Sequence, residues 1–183
     1  MGFPAFKEWQ VIVQALRAGD QILILRKGGI AEGRGGFQVQ AETFWLYPTR
    51  FHAQQEKTKP AAHAWITDVE AETLPSPTVE LSCFARIVAS RYLTAWEDVA
   101  RLDPFHLWTE ETVRERFQWS REPGVHALVV RVQRLDTPVL LTVTPEMGGC
   151  KSWIEVDVDP WSMPAAPALS DAAFADRRAR LGL

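Results

Sequence analysis

The stretch VHALVVRVQRL, residues 125–135, decides the fold. Valine, leucine and alanine make up most of it, and it reads as the clearest strand of the chain. Upstream, TVELSCFARIVASRYL at residues 78–93 reads as a second long strand, and residues 96–102 as one or two helical turns. Between the two strands Thr109 is a good helix N-cap, with Glu110 and Glu111 in the first turn where the helix dipole favours them, and the helix runs on through Val113, Phe117 and Trp119. Residues 139–143 are expected to pair with the 125–135 strand, and residues 153–158 to add one more.

Toward the amino end, Phe6, Trp9, Ile12, Val13 and Leu16 recur at helical spacing, so residues 4–18 read as a helix closed by Gly19, although residues 11–13 also suit a strand. Residues 21–25 form a short buried strand that ends in Arg26 and Lys27. Residues 31–36 carry three glycines and read as a loop; residues 37–39 and 44–47 read as strands. Pro48 is expected to stop the latter and start a helix carrying Thr49, His52 and Gln55. Residues 56–78 read as a long connection around the apolar piece 64–66. Beyond Asp159 the chain turns to proline and alanine, then Ser170 caps a short amphipathic helix ending in Arg177, Arg178 and Arg180. The expectation is an α+β domain over residues 1–159, with a mixed or mostly antiparallel sheet or partly closed barrel, an N-terminal helix and two or three packed helices. Residues 160–183 follow as a tail, docked on the domain or trailing from it.

The apolar fraction of 46% and charged fraction of 23% belong to a globular chain with a real core. A net charge of -3 confines any nucleic-acid role to a local patch. Cys83 and Cys150 lack pairing or metal-ligand spacing, and the MGFPAFKEW start lacks a signal-peptide pattern, so a reducing cytoplasm is expected. No apolar run is long enough for a membrane span. Phosphate-binding GxxxxGK[ST], dinucleotide-binding GxGxxG, HExxH and GxSxG motifs are all missing, and His52, His63, His106 and His126 lack ligand spacing, so no metal is expected and no cofactor is implied.

Four constellations can carry chemistry. Arg26-Lys27-Gly28-Gly29 combines a guanidinium fork, a point charge and exposed backbone amides, the ingredients of an anion pocket or of a plain charged turn. Lys7 and Glu8 flank Trp9, and Glu8 can pair with a cation such as Arg26 or act as an acid or base. Thr49 and His52 lie one helical turn apart in the helical reading. Gly148-Gly149-Cys150-Lys151-Ser152-Trp153 frees the backbone, sets a lysine beside a thiol and adds a hydroxyl and an indole plane.

Taken together, KEW (7–9), LRKGGI (25–30), LYPTRFH (46–52), HLWT (106–109), RFQW (116–119), VVRVQRL (129–135) and GGCKSW (148–153) resemble the bacterial family catalogued as domain of unknown function 1802. The resemblance covers nearly all of residues 5–156. The family pattern has an aromatic where Gln133 stands, and a glutamine directly after the histidine where Ala53 here precedes Gln54. The resemblance implies no activity, but it selects polar residues: Lys7, Glu8, Arg26, Lys27, Gly28, Gly29, Thr49, His52, His106, Arg116, Arg131, Cys150, Lys151 and Ser152. A structural core has little need of so many cations, and this favours an anion pocket. Residues 80–142 also resemble the later half of PUA-like and ASCH-type barrels, which implies RNA or modified-base binding.

The leading expectation is therefore a domain that binds single-stranded nucleic acid or a nucleotide. Arg26, Lys27, Arg131 and Lys151 would contact phosphate, while Trp9, Trp108 or Trp153 would stack a base. Two alternatives stay open. One is an enzyme for a small phosphorylated or anionic substrate, with His52 or Glu8 as acid or base and Cys150 as nucleophile; the other is a scaffold that holds a partner through residues 160–183.

Overall fold

The computed structural model describes residues 2–27, 39–50, 53–66 and 78–183. The readings at Gly28, Gly29, His52, the loop 31–36 and residues 37–38 lie outside the described residues.

Among the described residues seven strands make one sheet: β1 (Phe3–Trp9), β2 (Leu23–Arg26), β3 (Thr43–Thr49), β4 (Thr78–Leu93), β5 (Val125–Thr142), β6 (Trp153–Val156) and β7 (Ala165–Pro167). The order is β2-β5-β4-β3-β1-β6, with β7 on β5 beside the β2 edge. Among the described residues only β1 and β3 run parallel, and every other pair is antiparallel. The helices are α1 (Gln10–Ala18), α2 (Gln54–Lys57), α3 (Trp96–Ala100), α4 (Glu110–Gln118) and α5 (Asp171–Leu181). The fold class is α+β with a mostly antiparallel sheet that strand pairing leaves open.

β4 and α4 follow the sequence reading, and Thr109 caps α4 by accepting the Thr112 N–H at 3.2 Å. The opening segment does not. Residues 3–9 are a strand, because β3 and β6 take up their backbone groups on either side, and the helix starts only at Gln10. Phe6 and Trp9 matched the helical stripe by coincidence of spacing. Pro48 and Thr49 likewise continue β3 instead of starting a helix, since β4 pairs β3 only as far as Trp45 and leaves that side of Pro48 without a ladder to break. The helix there begins at Gln54.

Residues 139–143 do not fold back on 125–135 either. β5 runs through to Thr142 and stays on β4, with Leu81 opposite Val139 and Cys83 opposite Arg134, so residues 135–138 bulge out against Ser82 alone. Before that bulge β5 takes β7 as a second neighbour, and Asp136 N–H donates to the Pro164 carbonyl at 3.3 Å.

Alternation along each strand divides the core in two. Phe6, Phe44 and Leu46 face the helices, packing with Ile12 and Leu16 of α1, Val113 and Phe117 of α4, and Phe174 and Leu181 of α5. Ala5, Trp45 and Tyr47 face the other way, with Leu81, Phe84, Leu135, Ile154 and Val156. Because β1 alternates, Lys7 goes with the Ala5 face and Glu8 with the Phe6 face.

Candidate ligand-binding cleft

On the helix side, Glu8 is sealed from solvent, with a side-chain exposure of 0%. Its Oε1 accepts the Trp9 N–H at 2.8 Å; its Oε2 has no hydrogen-bond partner among the described residues and stands 3.9 Å from Arg26 Nη1. Arg26, last residue of β2, donates Nη2 to the Lys7 carbonyl at 2.8 Å and lies over the Phe6 ring. Arg116 comes in from α4, donates Nη1 to the Leu25 carbonyl at 2.9 Å, and is held between two indoles, 4.9 Å from the Trp9 ring centre and 4.5 Å from that of Trp108. Burial, opposed by Glu8 and assisted by Arg26, pushes the Arg116 guanidinium down to about 10, so it stays charged at neutral pH. Beyond it His106 lies against Trp108, and burial, with Lys59 and Arg116 adding to it, pushes the imidazole down to about 4. His106 Nδ1 and the Trp108 indole nitrogen are buried without hydrogen-bond partners among the described residues. Two guanidiniums, one carboxylate and a neutral imidazole thus form a closed charged cluster that holds β1, β2 and α4 together.

On the opposite face Lys7 reaches the loop after β5. Its Nζ donates to the carbonyls of Met147 at 2.9 Å and Gly149 at 2.8 Å, while its backbone N–H donates to the Ser152 carbonyl at 2.8 Å. Burial lowers the Lys7 pKa; Cys150 opposes that shift, and Lys151 and Arg26 add to it. Cys150 is exposed, Lys151 donates to the Glu146 carbonyl at 3.1 Å, and Ser152 is buried. Beside this loop opens a cleft of about 420 Å³, walled by Lys7, Tyr47, Thr49, Arg50, Glu80 and Ser82, with Gln10 and Gln14 of α1 on its rim. Thr49 Oγ1 donates to the Glu8 carbonyl at 3.0 Å, and burial raises the Tyr47 pKa.

The end of β1 therefore gathers Lys7, Glu8, Trp9, Arg26, Thr49, Trp108 and Arg116, with Cys150, Lys151 and Ser152 next to Lys7. Three other candidates lie elsewhere. Lys27 donates to Tyr92 Oη at 2.9 Å and to the Glu122 carbonyl. Arg131 bonds Asp171 Oδ1 and the Leu169 carbonyl, which ties down α5. Trp153 packs edge-on to Phe6 and Phe44 in the core, and Trp108 is wholly buried against Arg116. Gly28, Gly29 and His52 lie outside the described residues. Sequence reasoning missed Tyr47, Arg50, Gln10, Gln14, Glu80 and Ser82. The signal for Gln10 and Gln14 was their i,i+4 spacing on the polar side of α1. Gln54, one residue off the family pattern, is buried and accepts the Val11 N–H at 3.1 Å, which caps α1 from a distance. Among the described residues no group of three or more His, Cys, Asp or Glu side chains is placed to hold a metal, and no helix is long and apolar enough to cross a membrane.

Residues 5–180 match the family described as Domain of unknown function (DUF1802). No curated protein matches the chain. Among solved structures it is similar to the ASCH protein of Zymomonas mobilis, at 12% identity and TM-score 0.48 over 84% of this chain and 86% of that one. Its serine-to-alanine mutant gives 13% identity and TM-score 0.48, over 84% of this chain and 87% of that one. Its tyrosine-to-phenylalanine mutant gives 12% identity and TM-score 0.50, over 84% and 88%. This last likeness is one of fold, and it extends well beyond the 80–142 segment whose pattern resembles such barrels.

Proposed function

The chain belongs to the DUF1802 family, and from that premise we propose that it binds nucleic acid or a nucleotide, with the cleft between β3 and the loop after β5 as the place of contact. The cleft itself is the observation that carries this reading. Its volume, about 420 Å³, suits a nucleotide unit, since ligand sites commonly enclose about 300–1,000 Å³. Lys7 and Arg50 supply two cations against the single carboxylate of Glu80. Lys7 uses two of its three ammonium donors on carbonyls and keeps one for a phosphate oxygen. Amides at Gln10 and Gln14 and hydroxyls at Tyr47, Thr49 and Ser82 offer the donors and acceptors that base edges and sugars need. The RNA-binding expectation attached to ASCH-type barrels runs in the same direction. The arginine cluster around Glu8 supports the cleft from behind, because it fixes the β1 backbone from which Lys7 projects. Glu8 itself is sealed from solvent, so acid–base work by it has no open route to a ligand.

Fluorescence anisotropy with a labelled single-stranded RNA and DNA of one sequence, in low salt, tests the reading. Arg50 is exposed, so its replacement leaves the fold alone. Arg50→Ala is expected to weaken binding about fivefold, as loss of one charge-assisted contact, and to lower the slope of log affinity against log salt by about one. Affinity equal to wild type in an Arg50→Glu variant would overturn the proposal.

A further inference from the structure

A second cleft, of about 460 Å³, opens at the other end of β4 and shares no residue with the first. The first is lined from Thr78 to Ser82, where β4 begins; the second involves Arg91 and Leu93, where it ends. Its rim carries Arg91, Arg101 and Arg180, contributed by β4, the end of α3 and α5. Beneath them Leu102 and Leu181 are buried and Phe105 half-buried, which makes the floor apolar. The three guanidiniums differ in their engagement. Arg101 is paired with Asp98 at 2.6 Å, Arg180 stands 3.9 Å from Asp176, and Arg91 has no acidic partner among the described residues. The charged side chains that line the cleft are these three guanidiniums and one carboxylate, Asp98, with Leu183 at its rim.

We propose that this cleft binds a small phosphorylated ligand, its phosphate on Arg91 and Arg101 and its apolar or aromatic body on the Leu102–Phe105–Leu181 floor. Arginine suits the role because its planar fork meets two phosphate oxygens at once, and an exposed pair as weakly held as Arg180–Asp176 opens at little cost. The cleft joins β4, α3 and α5, so occupancy also ties the C-terminal helix to the sheet, as binding to the native state alone must. The inference goes beyond the nucleic-acid reading of the first cleft and stands without it.

Calorimetric titration of the full chain with AMP and with inorganic phosphate tests it, with any tag at the amino end so that the rim at Leu183 is unaltered. AMP is expected to bind saturably and more tightly than phosphate. Arg91→Ala should weaken AMP about fivefold, the loss of one charge-assisted contact. Methyl resonances of Leu102 and Leu181 should shift on titration. No saturable AMP binding, or an affinity untouched by Arg91→Ala and Arg91→Glu, overturns the proposal. So does weakening by Arg50→Ala instead, which would place AMP in the first cleft. Phosphate binding as tightly as AMP would overturn the role of the floor.

Discussion

Arg116 lies between two indoles with one N–H on the Leu25 carbonyl and Glu8 close enough to favour its charge, so its removal is felt at four places at once. Arg116→Ala is expected to cost about 3 kcal/mol in urea denaturation, the scale of breaking a buried ionic contact. Combined with Glu8→Gln the loss should fall at least about 1 kcal/mol short of the sum, and strict additivity would mean that the two groups do not act as a unit. His106 gives the cluster a pH signature. Its pKa of about 4 in the folded chain lies below the ordinary 6.5, so the unfolded chain binds the proton that the folded one refuses. Its contribution is complete above pH 6.5 and is lost as pH falls toward 4. About 2 kcal/mol should go between pH 7 and pH 5, and His106→Phe should flatten that slope. The cysteines divide by burial: iodoacetamide should label exposed Cys150 in the native protein and leave Cys83, buried and pushed up to about 12, until the chain unfolds. Much at this scale was legible, since Lys7, Glu8, Arg26, Arg116 and Lys151 all carry motifs of the sequence. The division of labour between Lys7 and Glu8 was not: a helix sets them on one shoulder, whereas a strand sends them to opposite faces.

α1 and the C-terminal segment are coupled through a single glycine. Gly19 closes α1 at φ 81°, and a Cβ there would come within 2.7 Å of Leu169 and 3.1 Å of the Ala168 carbonyl. Gly19→Ala should therefore cost more than the roughly 1 kcal/mol of left-handed strain alone, and Leu169→Ala should restore part of it by clearing the clash. The segment after Asp159 is attached more widely still. β7 pairs Gln133–Leu135 of β5, Ser170 caps α5 by accepting the Ala173 N–H at 3.2 Å, and Phe174 and Leu181 are buried in the helix-side core. A chain ending at Asp159 loses two apolar side chains worth about 1.5–3 kcal/mol each, and its denaturation midpoint should drop accordingly. The partner-scaffold reading requires the opposite, an intact fold with association alone abolished. The capped elements were the legible ones: Thr109 and Ser170 announce α4 and α5 by local chemistry. β1 and the run of β5 through Pro138 were not, because what keeps residues 3–9 extended is the backbone of β3 and β6, and what keeps residues 139–142 on course is β4.

Across the whole molecule, the strand order places three strands between β2 and β1, yet Arg26 Nη2 reaches the Lys7 carbonyl at 2.8 Å. The sheet has curled until its β2 edge lies within one side chain of β1, and the gap is spanned by the Arg26 guanidinium, the Phe6 ring beneath it and Arg116 on the neighbouring carbonyl. A partly closed barrel was legible as a class from long strands of β-branched residues with one intervening helix. That a side chain and no strand pairing closes it was not, since nothing local to LRKGG says what its arginine will meet. This arrangement has a mechanical consequence. β4 and β5 hold each other over most of their length, so their centre should keep its hydrogen-exchange protection whatever happens at the gap. β2 is short and ends the strand order, whereas β1 is held by β3 and β6 on either side, so β2 should open first. In Arg26→Ala, amides of residues 23–26 are expected to exchange at least about tenfold faster while those of 83–87 and 130–134 hold, a local opening about 1.4 kcal/mol easier. A uniform acceleration across all three stretches would show that Arg26 contributes only to global stability and that β2 stays beside β1 without it.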